Sequence, residues 1–181
     1  RMACQSWVRE CCPFADLVVV IDFDAWGGWS HPGFLHGIGR LITTPDAAGM
    51  ASVSMIEFPQ VMMDSSGRTT ETTGWVHYDC WALRLNSPWD DYTAGFGGWK
   101  HQWLPPIGSP PIPVVSAFGG MAIYDAACFL MGTYSGEDCE HVPFHTTMAE
   151  RTGTRLYLDP SMRTVMHWLE TANATGQHSK H

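Results

Sequence analysis

Two aspartates, Asp22 and Asp24, follow a run of apolar residues and could hold a metal ion. The run Leu17–Ile21 has the composition of a strand buried on both faces, and the flexible Gly27-Gly28 follows the aspartates. Alternation along an extended chain sends both carboxylates to the same side, about 6–7 Å apart. Carboxylates this close repel each other unless a cation lies between or beside them. The pattern therefore predicts a Mg²⁺ or Mn²⁺ site whose ion would also bind diphosphate oxygens.

Paired glycines, Gly119 and Gly120, follow a second β-branched run at Val114–Phe118. Without side chains, such residues expose their backbone N–H groups and let a ligand approach the main chain closely. The pair therefore indicates a substrate-binding turn. A β-bulge or a tight bend would explain the same residues, and this segment alone does not separate the two interpretations.

The segment 136–145 is dense in ionisable residues for a chain with 15% charged residues. Either Glu140 or Asp138 could take the proton from an acceptor hydroxyl. His141 and His145 lie one helical turn apart, so both could face one site and complete a metal shell. The alternative is an exposed, acidic helix start, which the helix dipole favours.

Asp79 and Arg84 lie in the aromatic segment 75–84 and would be costly to bury unless they pair or bind something. They are candidates for recognising a donor substrate, and a structural Asp–Arg pair is the alternative. Trp26 follows the aspartate pair in a glycine-containing loop, where its ring could stack on a sugar face, although core packing explains a tryptophan equally simply.

The bulk composition limits the classes of function. A formal net charge of −8 argues against a nucleic-acid backbone as the main partner. No apolar run approaches the length of about 20 residues that a helix needs to cross a bilayer. The opening residues do not form a signal peptide, which favours a cytoplasmic location. The six cysteines lack CxxC spacing, so we expect reduced thiols rather than a zinc site or disulfides.

Strands and helices alternate along the chain and must position these residues. We expect helices over 2–12, in 31–50, after 121 and over 141–151. Strands are expected at 17–21, 51–58, near 74–85, at 114–118, after 121 and at 156–158. Residues 86–113 are expected to form a long ordered loop. Gly153 is expected to end the helix over 141–151, and residues 173–181 to fray. The order predicts a single α/β domain over residues 1–172.

Taken in order, these segments resemble GT-A-type glycosyltransferases. The residues that carry the resemblance are Val19–Asp24, Tyr78-Asp79-Cys80-Trp81-Ala82-Leu83-Arg84 and Val115–Gly120. They look most like the branch near fungal capsule-type mannosyltransferases, and uncharacterised microbial and viral relatives show a similar Cys-Glu-His pattern. The resemblance covers about residues 1–160. It implies a GT-A-like (Rossmann-like) mixed sheet flanked by helices and incomplete at the amino-terminal side, because such enzymes place a nucleotide-binding segment before the aspartate pair.

The resemblance also implies roles for individual residues. Asp22 and Asp24 match the motif for metal and diphosphate, and Gly119-Gly120 matches the turn between donor sugar and acceptor. Glu140 matches an acidic motif that precedes a helix ending in glycine, although His141 replaces the aspartate of that motif.

Two further assignments stay open within the resemblance. Asp138 follows a glutamate as the family's aspartate does, so it rivals Glu140 as the base. His145 or His141 would stand for the third metal ligand, which many such enzymes take from a C-terminal histidine.

The sequence thus predicts a Mn²⁺- or Mg²⁺-dependent enzyme that moves a hexose from a nucleotide-diphosphate sugar to a carbohydrate or another hydroxyl acceptor. Two rivals stay open. One is a metal-dependent hydrolase or phosphoesterase, and the other is a non-catalytic carbohydrate-binding module, which the nine tryptophans permit.

Overall fold

The computed structural model describes residues 2–23, 25, 27–85, 103–136 and 138–166. The described residues therefore exclude Asp24, Trp26, residues 86–102 of the predicted loop and the predicted frayed tail at 173–181. The helices are α1 (Met2–Cys11), α2 (His31–Thr43), α3 (Ala126–Phe129) and α4 (His141–Thr152), and the strands are β1 (Leu17–Ile21), β2 (Ala47–Met63), β3 (Thr69–His77), β4 (Ile112–Val114), β5 (Met121–Asp125) and β6 (Arg155–Val165).

The six strands form one mixed sheet flanked by helices, which confirms the predicted α/β class. The order is β1-β5-β2-β6-β4, and β3 pairs with the far half of β2. Strands β2 and β6 run parallel, whereas the pairs β1–β5, β2–β5, β2–β3 and β4–β6 are antiparallel. No helix in the described part of the chain is long and apolar enough to cross a membrane.

Strand β1 lies at an edge of the described sheet, and this corrects the prediction that it is buried on both faces. Val19 and Ile21 are 41% and 37% exposed. Val18 and Val20 alternate with them and pack against the core below α4. A continuous apolar run therefore indicated a strand correctly but did not indicate its place in the sheet, because both central and edge strands can be β-branched.

Strands β2 and β6 are longer than predicted. β2 begins at Ala47 rather than Ala51 and continues past Phe58 to Met63, and its outer half pairs with β3 as an exposed ribbon. β6 extends to Val165, because an irregularity between Asp159 and Arg163 inserts residues without ending the pairing with β2. This bulge lets β6 reach the end of the sheet at which the candidate residues lie.

Helix α2 packs on one face of the sheet at the β6 bulge. Ser30 begins the helix, because its hydroxyl accepts a hydrogen bond from the Gly33 N–H at 3.1 Å. A Cβ at Gly33 would meet the carbonyl oxygen of Ser161, and one at Gly37 would meet the Met162 side chain. Glycines at these two positions therefore allow α2 to lie directly against the bulge.

The other sheet face carries the main core, which packs beneath α4. Its members are fully or almost fully buried and include Val53, Phe118, Tyr124, Phe144 and Leu158. As predicted, α4 ends at Gly153, which takes the left-handed conformation with φ 69°. At the start of α4, the His141 ring stacks on Phe118 of this core.

Candidate functional site

The predicted glycine turn is built by contacts from three distant segments. Gly119 and Gly120 have φ of 63° and 78°, in the region that favours glycine. The hydroxyl of Ser52 donates to the Gly119 carbonyl at 2.6 Å, and the Gly119 N–H donates to Asp79 Oδ2 at 3.0 Å. A Cβ at Gly119 would collide with the Ser52 carbonyl. The turn is therefore fixed against β2 and needs glycine there.

Asp22 lies directly beside this turn, as its backbone N–H donates to the Gly120 carbonyl at 2.9 Å. Further along the chain, the Gly27 N–H donates to the Val165 carbonyl on β6 at 3.0 Å. The structure thus brings together the predicted metal-binding position Asp22 and the predicted substrate turn. Asp24, the second predicted ligand, lies outside the described residues, so its position relative to Asp22 stays a prediction.

Asp79 holds the turn from the other side. One carboxylate oxygen accepts from the Gly119 N–H and the other from the Ala82 N–H at 3.2 Å, while the Asp79 N–H donates to Ser54 Oγ at 2.8 Å. Both oxygens therefore have donors within the protein. In this structure Asp79 acts as a support of the glycine turn, and its predicted contact with a donor substrate stays a prediction.

Arg84 pairs with Asp138, in the loop that precedes α4. Its Nη2 is 3.3 Å from Asp138 Oδ1, and the two side chains are 10% and 33% exposed. Nη1 donates to the carbonyls of Trp81 and Leu83. Since Asp138 also accepts from the Cys139 N–H at 2.6 Å, its carboxylate is engaged in holding this loop. An engaged carboxylate is a poorer candidate for a general base than an accessible one.

Glu140 stands at the start of α4 with a side chain that is 48% exposed. Its carboxylate is 3.9 Å from His141 Nε2 and 4.0 Å from Cys139 Sγ. Burial raises the pKa of the Cys139 thiol to about 11, and the negative charges of Asp79 and Glu140 contribute to the rise. Glu140 therefore lies next to Cys139 and His141, whose ring stacks on Phe118 just before the glycine turn.

Two histidines of α4 fix the helix against the segment before the turn. The His141 ring stacks on Phe118 with centroids 4.0 Å apart, and on His145 with centroids 5.8 Å apart. The Ser116 hydroxyl is 2.9 Å from His145 Nδ1, and the Tyr124 hydroxyl is 2.8 Å from His145 Nε2. The pairs His145–Ser116 and His141–Phe118 thus set the register of α4 over this segment.

This geometry corrects the prediction that His145 faces a metal site. The His145 residue is 1% exposed, and hydroxyl groups of the protein occupy both ring nitrogens. A metal ligand must offer an unprotonated nitrogen lone pair, and His145 has none to spare. Spacing alone could not reveal this, because His141 and His145 do share a face, but that face is turned into the core.

Complete burial lowers the pKa of His145 to about 3, from an ordinary value of 6.5. Between these values the unfolded chain binds a proton that the folded chain does not. The contribution of His145 to stability is therefore present above pH 6.5 and lost as the pH falls toward 3, by up to about 1.4 kcal/mol for each pH unit.

We expect the free energy of unfolding to decline below pH 6.5 less steeply in His145→Gln than in the wild type, because Gln does not titrate. Urea unfolding at pH 7, 6 and 5 measures the two slopes. His31→Gln is a matched control, since His31 is exposed on α2 and its replacement should leave the slope unchanged. Parallel slopes for the wild type and His145→Gln would contradict the assignment of a neutral, buried His145.

A divalent-metal site at Asp22 stays a prediction. Among them, no group of three or more His, Cys, Asp or Glu side chains is arranged to hold a metal ion. Mg²⁺ and Mn²⁺ commonly use one or two carboxylates and take their other ligands from water and substrate phosphates. Asp22 beside the glycine turn fits this donor chemistry, whereas a metal held entirely by the described side chains does not.

Two further predictions have a structural outcome. The six cysteines are free thiols, so no disulfide joins them. Gly119 and Gly120 form a left-handed turn rather than a β-bulge within a strand. The sequence patterns missed Ser52 and Tyr124, because single hydroxyl residues on buried strands carry no spacing signal, and they gave Ser116 no role although it lies in the segment before the glycine pair.

No protein-family model matches the chain, and no curated protein matches it either. The geometry of the site and the chemistry of its residues are therefore the basis for a functional conclusion.

Proposed function

We propose that the chain is a metal-dependent glycosyltransferase of the GT-A type, which moves a hexose from a nucleotide-diphosphate sugar to a hydroxyl acceptor. The observation that supports the proposal is the contact between Asp22 and Gly120, at a turn that Asp79 also holds. Residues far apart in the chain, each selected for its chemistry, meet at one end of the sheet. Ligands of open α/β sheets bind at such strand ends.

Each residue has a defined task in this proposal. Asp22, together with Asp24, holds a Mg²⁺ or Mn²⁺ ion through carboxylate oxygens. When bound, that ion neutralises negative charge on the diphosphate. Gly119 and Gly120 are buried, and their turn holds Asp22 in position through the Gly120 carbonyl. Glu140 takes the proton from the acceptor hydroxyl, because its carboxylate is accessible and contacts His141, which stacks on Phe118.

The test incubates the full chain with a panel of nucleotide-diphosphate sugars, with Mn²⁺ or with EDTA, and measures nucleoside diphosphate. We expect release that requires the metal and that Asp22→Asn reduces at least about tenfold, because the amide binds the ion less well than a carboxylate. Asp16→Asn is the matched control, since Asp16 is an exposed carboxylate at the opposite end of β1. The Asp16→Asn protein should release as much nucleoside diphosphate as the wild type.

Other products would support the rival functions. Release of inorganic phosphate from a phosphoester would indicate a hydrolase. Glycan binding that survives both Asp22→Asn and Asp24→Asn, with no diphosphate released from any donor, would indicate a carbohydrate-binding module. Either result would overturn the proposed transferase.

A further inference from the structure

Arg163 on β6 is a buried cation with unused hydrogen-bond donors. The residue is 7% exposed, and its Nη2 donates to the carbonyl oxygen of Pro105. Its Nε and Nη1 atoms are buried and have no hydrogen-bond partner in the part of the chain that the structure describes. Because a guanidinium carries five N–H donors, this arrangement leaves most of them desolvated without compensation.

The nearby carboxylate of Asp159 does not supply the missing partner. Its two oxygens accept from the Ser161 N–H at 2.9 Å and contact His36 Nδ1 at 3.0 Å. Burial lowers the pKa of Arg163, and the charge of Asp159 only partly opposes this. The β6 bulge explains the separation, since it turns Asp159 toward α2 and pairs Arg163 with Val53, a residue of the core on the opposite face.

The position of Arg163 links it to the candidate site. Arg163 pairs with Val53 on β2, and the preceding residue, Ser52, binds Gly119. The next residue of β6, Thr164, meets the turn directly, because a Cβ at Gly120 would lie 3.1 Å from Thr164 Cγ2. Leu104 packs into the core cluster that contains Val53, so the segment 103–105 covers Arg163 on the α4 side of the sheet.

We infer that Arg163 binds an anionic group of a ligand, of the phosphate or carboxylate class, at the sheet end that carries the glycine turn. Planar guanidinium groups bind such oxyanions through two parallel hydrogen bonds, which is what the Nε and Nη atoms of Arg163 can offer. A bound anion would supply both the countercharge and the missing acceptors. To reach Nη2, the anion must displace the segment 103–105, because the Pro105 carbonyl accepts a hydrogen bond from Nη2.

The anionic group can belong to either of two ligands, and both ligands are those of the proposed function, on which this inference rests. The first is the diphosphate of the nucleotide-sugar donor. The second is an acidic group of the acceptor, such as the carboxylate of a uronic acid. The two sources differ in charge and can be tested with separate probes.

The experiment measures the affinity of the full chain for inorganic pyrophosphate and for methyl glucuronide by calorimetry, at fixed ionic strength and in EDTA. We expect Arg163→Gln to weaken at least one probe by tenfold or more, because two charge-assisted hydrogen bonds are lost. Loss of pyrophosphate affinity identifies the donor, and loss of glucuronide affinity alone identifies the acceptor. Arg155→Gln is the matched control, since Arg155 is a 65% exposed arginine on the same strand, and its affinities should stay within twofold of the wild type.

Unchanged affinity of Arg163→Gln for both probes, or failure of the wild type to bind either, would overturn the assignment. If Arg163→Gln does not fold, Arg163→Lys decides, because it keeps the positive charge but loses the planar pair of donors. An Arg163→Lys protein with wild-type affinities would also overturn it. Because EDTA removes the metal and no transfer is measured, an anion site at Arg163 could stand even where the transferase test fails.

Discussion

Glu140→Gln is expected to lower the turnover number for sugar transfer by about 10²–10⁴-fold, the usual contribution of a general base. Gln keeps the shape of the side chain but cannot accept the proton of the acceptor hydroxyl. The donor affinity should change little, because the proposed metal and diphosphate contacts involve Asp22 and Asp24. Steady-state kinetics with donor and acceptor varied in turn separate these effects.

The controls for this prediction lie on the same helix and in the same loop. Glu150→Gln removes an exposed carboxylate from the last turn of α4 and should leave turnover unchanged. Asp138→Asn tests the rival base, and we expect reduced stability from the weakened pair with Arg84 rather than the loss of turnover seen for Glu140→Gln. A larger loss of turnover in a folded Asp138→Asn protein would transfer the role of base to Asp138.

Gly119→Ala is expected to reduce the free energy of unfolding by about 2–5 kcal/mol. A left-handed backbone costs an L-residue about 1–2 kcal/mol, and forcing a methyl group into a filled space adds about 1–3 kcal/mol. The added Cβ would meet the carbonyl oxygen of Ser52, which is held in the sheet and has no room to move. Urea unfolding monitored by tryptophan fluorescence measures the change.

Gly67→Ala separates the two causes. Gly67 also has a positive φ, 80°, but no atom lies within 4 Å of the position of an added Cβ. Its loss of stability should therefore be confined to about 1–2 kcal/mol from the backbone. Equal losses for Gly119→Ala and Gly67→Ala would show that the close contact with Ser52 contributes nothing, and the turn would then tolerate a side chain.

Local patterns in the sequence were sufficient to place most of the elements. The β-branched run at Leu17–Ile21 is a strand, the helical spacing over 141–151 is a helix, and Gly153 ends it in the left-handed conformation. These features depend on near neighbours in the chain, such as alternation of side chains and the tolerance of glycine for positive φ. The class, a mixed sheet flanked by helices, follows from their order.

Strand lengths and the place of each strand were not predictable in the same way. The sequence at Asp159–Arg163 gives no local reason for β6 to continue to Val165, since the continuation depends on pairing with β2 across the bulge. The exposed outer half of β2 depends likewise on β3. Pairing between distant segments is a tertiary interaction, and single-residue propensities carry little information about it.

For the candidate site, the sequence by itself determined which side chains have useful chemistry: Asp22, Glu140 and the glycine pair. The tertiary structure decided which of them meet and which are already occupied. In the structure, the Asp22 N–H donates to the Gly120 carbonyl, and Asp138 pairs with Arg84. Two hydroxyl groups contact the ring nitrogens of the buried His145. The physical reason is that residue type and spacing define what a side chain can do, whereas burial and hydrogen-bond partners, which come from distant parts of the chain, define what remains available to a substrate.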